Sequence, residues 1–247
     1  MHLTQHFERC YIVNLPERAD RRREMDTEMQ RVEWRVDGEH IRYFRAIRPV
    51  DAGAFPSLGA RGCFMSHLGI LKDAIRDKLG SILVMEDDLA IDPLIGVASK
   101  VMLDRMQDAE WDFAYFGHVE PSDTGAASGW QETHQPLATT HFYALNGRVL
   151  RPLHDHLEAC LDRPTGHPLG SPMHVDGAYS LFRMQHPELI TLMATPSLGG
   201  QRSSRSDIFP NKWYDRLPLT RQLAGIARGI KNRKGRRRAS IEGAQHV

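Results

Sequence analysis

The stretch ILVMEDDLAI, Ile82–Ile91, decides how the chain folds. Four consecutive apolar residues, Ile82 to Met85, stop abruptly at Glu86, Asp87 and Asp88. An unbroken apolar run of this kind is what a strand buried on both faces requires, as in parallel sheets covered by helices. Just upstream, Leu68, Leu71, Ile75 and Leu79 recur on one helical face after Ser66. Gly80 stands where a helix commonly ends in glycine. Further back, the apolar run Cys10 to Val13 ends at Asn14, and a polar helical stretch opens in which Pro16 suits the first turn. Glu17 precedes Arg21 by four residues, a favourable helical pair. Ile41 to Ile47 reads as another strand.

Downstream, a helix over Ile95 to Ala109 leads to the strand-like Phe113 to Phe116, closed by Gly117. Thr140 to Leu145 predicts a strand, Leu150, Leu153, Leu157 and Leu161 a helical stripe, and Ile190 to Ala194 the last core strand. His118 to Pro136 and Asp162 to Pro172 carry no period and read as long loops. Strands alternating with helices predict an α/β fold, with a mainly parallel central sheet and helices on both faces.

Composition limits the alternatives. In 247 residues, 41% are hydrophobic and 26% charged, which excludes wholesale disorder. Such a chain buries roughly 70% of the surface it exposes unfolded, so no covalent staple is needed. Cys10, Cys63 and Cys160 show no CxxC spacing, which argues against a disulfide framework and against a thiolate zinc site. No apolar run approaches the ~18 residues of a membrane span, and the polar start, Met1 to Arg9, does not read as a signal peptide. A cytoplasmic protein is expected. Charge is uneven: residues 212–247 carry a net +8 and residues 1–211 a net −7. Leu219, Leu223, Ile226 and Ile230 in the basic part recur at helical spacing. The expectation is one domain over 1–214 and, over 215–247, a basic amphipathic helix with a disordered tail, suited to peripheral contact with an anionic membrane surface.

Three adjacent carboxylates at the end of a buried strand are either a solvated turn or a cation site. In open α/β sheets, ligands bind beyond the carboxyl ends of the strands, and carboxylate oxygens suit Mg²⁺ or Mn²⁺. Asn14, Arg18, Arg21 and Arg22 follow the first strand. Arginine forks at a helix start recognise phosphate, though a solvated basic face has the same composition. Ser66 and His67 read as a helix opening beside the acidic strand. Asp176 and Arg202 lie in polar segments further on, Asp176 as a turn residue or a general base.

Together, YIVNLPERADRR (Tyr11–Arg22), GCFMSHLGILKDA (Gly62–Ala74) and ILVMEDDLAI resemble glycosyltransferase family 25, the lipooligosaccharide and collagen galactosyltransferase group. VDGAYS (Val175–Ser180) and TPSLGGQRSSRSDI (Thr195–Ile208) resemble its later blocks more loosely. The resemblance implies a GT-A-like nucleotide-binding fold and an inverting, metal-assisted transfer. The implied donor is a nucleotide sugar, with UDP-galactose or another UDP-hexose leading. The implied acceptor is a glycan such as lipopolysaccharide or lipooligosaccharide. Carried onto this chain, Glu86 and Asp88 are the metal positions for Mn²⁺ or Mg²⁺, and Asp87 lies between them. Asn14, Arg18 and Arg22 fall near the nucleotide, Ser66 and His67 beside the donor, and Arg202 on the phosphates. Asp176 is the expected catalytic base, and His118 to Pro136 the expected acceptor-side lid. Glu86 stands where many GT-A motifs have Asp.

Rival readings fare worse. A nucleic-acid-binding protein fits the basic tail but not the acidic body, which lacks a finger motif or an aromatic-interleaved basic surface. A sugar-nucleotide pyrophosphorylase calls for a Gly-rich phosphate loop, and Asn14-Leu15-Pro16-Glu17 supplies none. A catalytically silent sugar- or nucleotide-binding relative differs from an enzyme only in assay.

Overall fold

The apolar run Ile82–Met85 forms most of a strand, and its alternation defines two apolar layers. Leu83 and Met85 face one layer with Met25, Met29 and Trp34; Ile82 and Val84 face the other with Phe64, Leu68, Leu153 and Phe182. All four strand residues are buried. The structure is a computed structural model that describes residues 3–96, 102–104, 106, 110–119 and 129–202. The chain divides into two units, Met1–Arg202 and Ser203–Val247. The predicted amphipathic tail, much of the predicted helix at 95–109 and the middle of the predicted lid lie outside the described residues.

In chain order the elements are β1 (Arg9–Asn14), α1 (Ala19–Arg31), β2 (Ile41–Arg45), α2 (Leu58–Arg76), β3 (Ser81–Glu86) and β4 (Leu89–Ile91). There follow β5 (Phe113–Gly117), β6 (Gly129–Glu132), β7 (Phe142–Asn146), α3 (Gly147–Asp162), α4 (Val175–Gln185), β8 (Thr191–Thr195) and β9 (Gly199–Gln201). Among the described residues, seven strands form one sheet in the order β2-β1-β3-β7-β5-β8-β6, and β4 pairs with β9 in a second. Five strands of the large sheet run one way; β7 and β6 run against them. α1 covers one face, while α2, α3 and α4 cover the other. The expected α/β fold with helices on both faces is what forms, and its sheet is mixed but mostly parallel.

Four local expectations are corrected. α2 starts at Leu58 rather than at Ser66, because its apolar face continues back through Phe64 and Ala60 to a Ser57 cap whose side chain accepts from Ala60 N. Ser66 is therefore in mid-helix, donating to Gly62 O at 2.6 Å and accepting from Ile47 N at 2.8 Å. The left-handed residue after α2 is Lys78 (φ 54°), not Gly80. Gly80 instead serves close packing: Gly147 N donates to its carbonyl at 2.7 Å, and a Cβ on Gly147 would lie 2.8 Å from that oxygen. α1 begins at Ala19, so Pro16 belongs to the preceding turn, where Arg18 N donates to Leu15 O at 2.8 Å. Finally, the aperiodic stretch 118–136 contains β6, held because Trp130 packs on Phe116 and donates to Met102 O.

Backbone against backbone leaves Gly147 no flexible neighbour to push aside. Gly147→Ala is expected to lower unfolding free energy by about 1–3 kcal/mol, read as a shifted urea midpoint at unchanged slope.

Candidate active site

Parallel pairing sets Val13 at the end of β1 opposite Glu86 at the end of β3, so Asn14 and the acidic turn emerge together at the carboxyl edge. After Asp87 and Asp88 the chain enters β4, whose Leu89 pairs with Gln201 of β9. That pairing returns Arg202 to the acidic turn, where its N–H donates to Asp88 O at 2.7 Å.

The three carboxylates have different partners. Asp87 is fully used: Oδ2 accepts from Asn14 Nδ2 at 2.7 Å, Oδ1 from Arg21 Nη1 at 3.0 Å, and its carbonyl from Arg202 Nη2 at 2.6 Å. Burial still holds its carboxyl above the ordinary value. Glu86 reaches the other way. Its Oε2 accepts from Gln201 Nε2 at 3.1 Å, and Oε1 lies 3.9 Å from His67 Nε2. Burial raises the Glu86 carboxyl, but His67, with His141 and Gln201, outweighs that and keeps it below its usual range. Asp88 has capacity left in a buried place. Its Oδ2 is 3.4 Å from Arg21 Nη1, while Oδ1 is buried and accepts no hydrogen bond among the described residues. Burial first, and then the charge of Glu86, pushes the Asp88 carboxyl up to about 7, against the pull of Arg21 and Arg202.

Of the other residues predicted for the site, His67 is fully buried and donates to or accepts from Tyr143 OH at 2.7 Å through Nδ1; Tyr143 OH lies 3.1 Å from Tyr179 OH. Ser66 spends its hydroxyl on the backbone, as described. Arg18 pairs with Asp20 at 2.9 Å, and the Arg22 guanidinium lies 4.1 Å over the Tyr43 ring. Arg21, between them in sequence, is the arginine bound to the acidic turn. Asp176 lies half-buried in the first turn of α4, where its Oδ1 accepts from Gly177 N at 2.7 Å. Its charge, with those of Glu86 and Asp88, reaches Cys63, whose thiol burial and these three carboxylates push well up.

Sequence reasoning missed the remainder of the edge. His118 follows β5, His141 precedes β7 and Thr195 ends β8. His118 Nδ1, His141 Nδ1, Thr139 Oγ1 and Thr195 Oγ1 are all buried without a hydrogen-bond partner among the described residues. Each is a lone polar residue in an unremarkable context, so no motif marks it; only the strand order brings these residues to one edge.

A mixed α/β sheet with helices on both faces and an acidic turn at its carboxyl edge is a GT-A-like fold. The crystal structure of a glycosyltransferase involved in the glycosylation of the major capsid of PBCV-1 shares this fold, with a TM-score of 0.50 and 13% identity over 80% of this chain and 93% of that one. Residues 7–120 match the family model of glycosyltransferase family 25 (LPS biosynthesis protein), and this segment carries that family's pattern. A glycosyltransferase 25 family member of Anopheles gambiae is 32% identical over 124 residues, 43% of this chain and 21% of that protein. Its counterpart in Drosophila melanogaster is 26% identical over 128 residues, 44% and 21% respectively. The chain thus aligns with about a fifth of the length of these curated relatives. No helix among the described residues is long and apolar enough to cross a membrane.

The raised Asp88 carboxyl has a measurable consequence. A group that holds its proton more tightly when folded contributes stability fully present below its unfolded value, near 4, and lost as pH rises towards about 7. Asp88→Asn removes that loss. In chelator-treated protein the melting temperature of the variant should exceed that of the native chain by several degrees at pH 8, with the advantage growing between pH 4 and 7 and level above. Thermal melts across this range check it.

Proposed function

We propose that the chain is an active, inverting glycosyltransferase moving a hexose from a nucleotide-sugar donor, UDP-linked in the leading case, to a glycan acceptor such as lipopolysaccharide or lipooligosaccharide. The observation that carries this reading is the unsatisfied, buried Asp88 Oδ1 between Arg21 and Arg202 at the carboxyl edge of the sheet. A buried acceptor without a donor costs about 1–3 kcal/mol, a cost that a bound cation would offset. The all-oxygen donor set of the turn fits Mn²⁺ or Mg²⁺, which bind through one or two carboxylates and take further oxygens from substrate phosphates. Asp88 would hold the ion, with the Glu86 charge adding to the negative field. When bound, such an ion supplies Lewis-acid stabilisation of the departing diphosphate.

The chain's own residues would do the rest. Asn14 and Arg21 hold Asp87 and so fix the turn that aims Asp88. Arg21 and Arg202 place guanidinium charge where the diphosphate would lie, suited to phosphate oxygens. Arg18, which caps the start of α1, and Arg22, in its first turns, are candidates for the nucleotide side. His67 would stand beside the donor through Glu86. Asp176 is the proposed base, taking the acceptor hydroxyl proton as that oxygen attacks the anomeric carbon from the face opposite the leaving group. Water must be kept out or the donor is hydrolysed; the middle of the lid proposed for this, and the tail proposed to touch anionic membrane, fall outside the described residues.

A thermal-shift panel of UDP-galactose, UDP-glucose and GDP-mannose, each with and without Mn²⁺, tests the donor reading. A ligand that binds the native state raises its melting temperature, so a shift is expected with a UDP-sugar and Mn²⁺ together; a flat panel overturns it. Asp88→Ala should lower transfer by at least about 100-fold. Asp176→Asn should lower kcat by about 100-fold or more with donor affinity nearly unchanged; a change confined to donor affinity would remove Asp176 from the base role.

A further inference from the structure

Cys63 and His67 lie four residues apart on α2 and therefore share one face of it. Glu86 arrives from the end of β3, against the same face. One ligand atom from each of the three lies within 4.8 Å of the other two. His67 is fully buried, and its Nδ1 is taken by Tyr143 OH at 2.7 Å. Its Nε2 has no hydrogen-bond partner among the described residues and faces Glu86 Oε1 at 3.9 Å, too far for a hydrogen bond. A buried, unpartnered ring nitrogen thus lies within reach of both a thiol and a carboxylate.

We propose that Cys63, His67 and Glu86 form a second cation site, for a thiophilic divalent ion of which Zn²⁺ is the best match. It is separate from the oxygen site at Asp88. Thiolate, imidazole and carboxylate are the three ligand types zinc takes, and three protein ligands leave a fourth position open. Zinc bonds of 2.0–2.3 Å place tetrahedral ligand atoms about 3.3–3.8 Å apart, so the gap has to close by about an ångström. With Nδ1–H donating to Tyr143, whose hydroxyl donates onward to Tyr179, the Nε2 lone pair faces the ion. On binding, the S–H bond of Cys63 breaks, its proton goes to solvent, and the thiolate sulfur bonds the metal. One thiolate and one carboxylate neutralise the two charges of the ion. The cysteine spacing argued against a thiolate zinc site; helix α2 and strand β3 together assemble one that spacing cannot reveal. The site does not depend on the sugar-transfer reading.

Two measurements on the full chain test it. Titration with Co²⁺ should give a thiolate-to-cobalt charge-transfer band at one equivalent. The band should be lost in Cys63→Ser and kept in Asp88→Asn and in Cys160→Ser, the latter removing the thiol that lies 3.6 Å from His156 Nε2. Zn²⁺ affinity by calorimetry should fall about 100-fold or more in Cys63→Ser, since even outer partners of a ligand are worth 10–100-fold. In the unmutated protein, Zn²⁺ but not Mg²⁺ should slow alkylation of Cys63 at least tenfold, read by peptide mapping, which holds even if the variant folds poorly. No band, a band that survives Cys63→Ser, a band lost in Asp88→Asn, or an alkylation rate indifferent to Zn²⁺ would each overturn the proposal.

Discussion

The acidic edge depends on the triple anchoring of Asp87. Three carboxylates in a row at the end of a buried strand repel one another and resist leaving water. Asn14, Arg21 and Arg202 come from three separate places in the chain and together saturate both oxygens and the carbonyl of this one residue. With the middle carboxylate locked, its neighbours are forced apart, Glu86 towards His67 and Gln201 and Asp88 towards Arg21. A repulsive tripeptide becomes three residues with three roles.

Most of the sheet was legible because its signals are local. The run Ile82–Met85 is apolar on both faces and could only be an inner strand, and the leucines of α3 repeat at 3.6 residues. What escaped has a non-local cause. α2 began eight residues early because Ser66 and Gly62, polar and small, satisfy one another and Ile47 within the fold. β6 shows no pattern because it is four residues long and only its first two, Gly129 and Trp130, turn inward, Gln131 and Glu132 both being exposed. Gly80 read as a helix stop but answers to a contact with Gly147, distant in sequence and adjacent in space.

The candidate site was legible in part for the same reason. Glu86, Asp87, Asp88 and Asn14 were visible because strand ends carry them. The choice among Arg18, Arg21 and Arg22 was not, since it depends on which helical direction faces the turn, and α1 starts three residues later than Pro16 suggested. The role of Glu86 also needed coordinates. Its extra methylene lets it span towards α2, where an aspartate would stop short, and this explains why a longer acid at that position is compatible with an intact edge. The buried histidines His118 and His141 became meaningful only once β5 and β7 were neighbours.

Reversal of β7 within the sheet changes what kind of boundary that edge is. Where strands run in parallel, each rim position is an exit, and the segment leaving it has to cross back over the sheet. β7 makes one position an entry instead, fed by the segment that carries Thr139 and His141. An inbound segment is not tied to a crossover helix on its rim side, so its length and chemistry can drift while the helical layers stay put. The rim beside β7 thus tolerates changes of length and chemistry that the rim built on β1 and β3, tied to its crossover helices, does not.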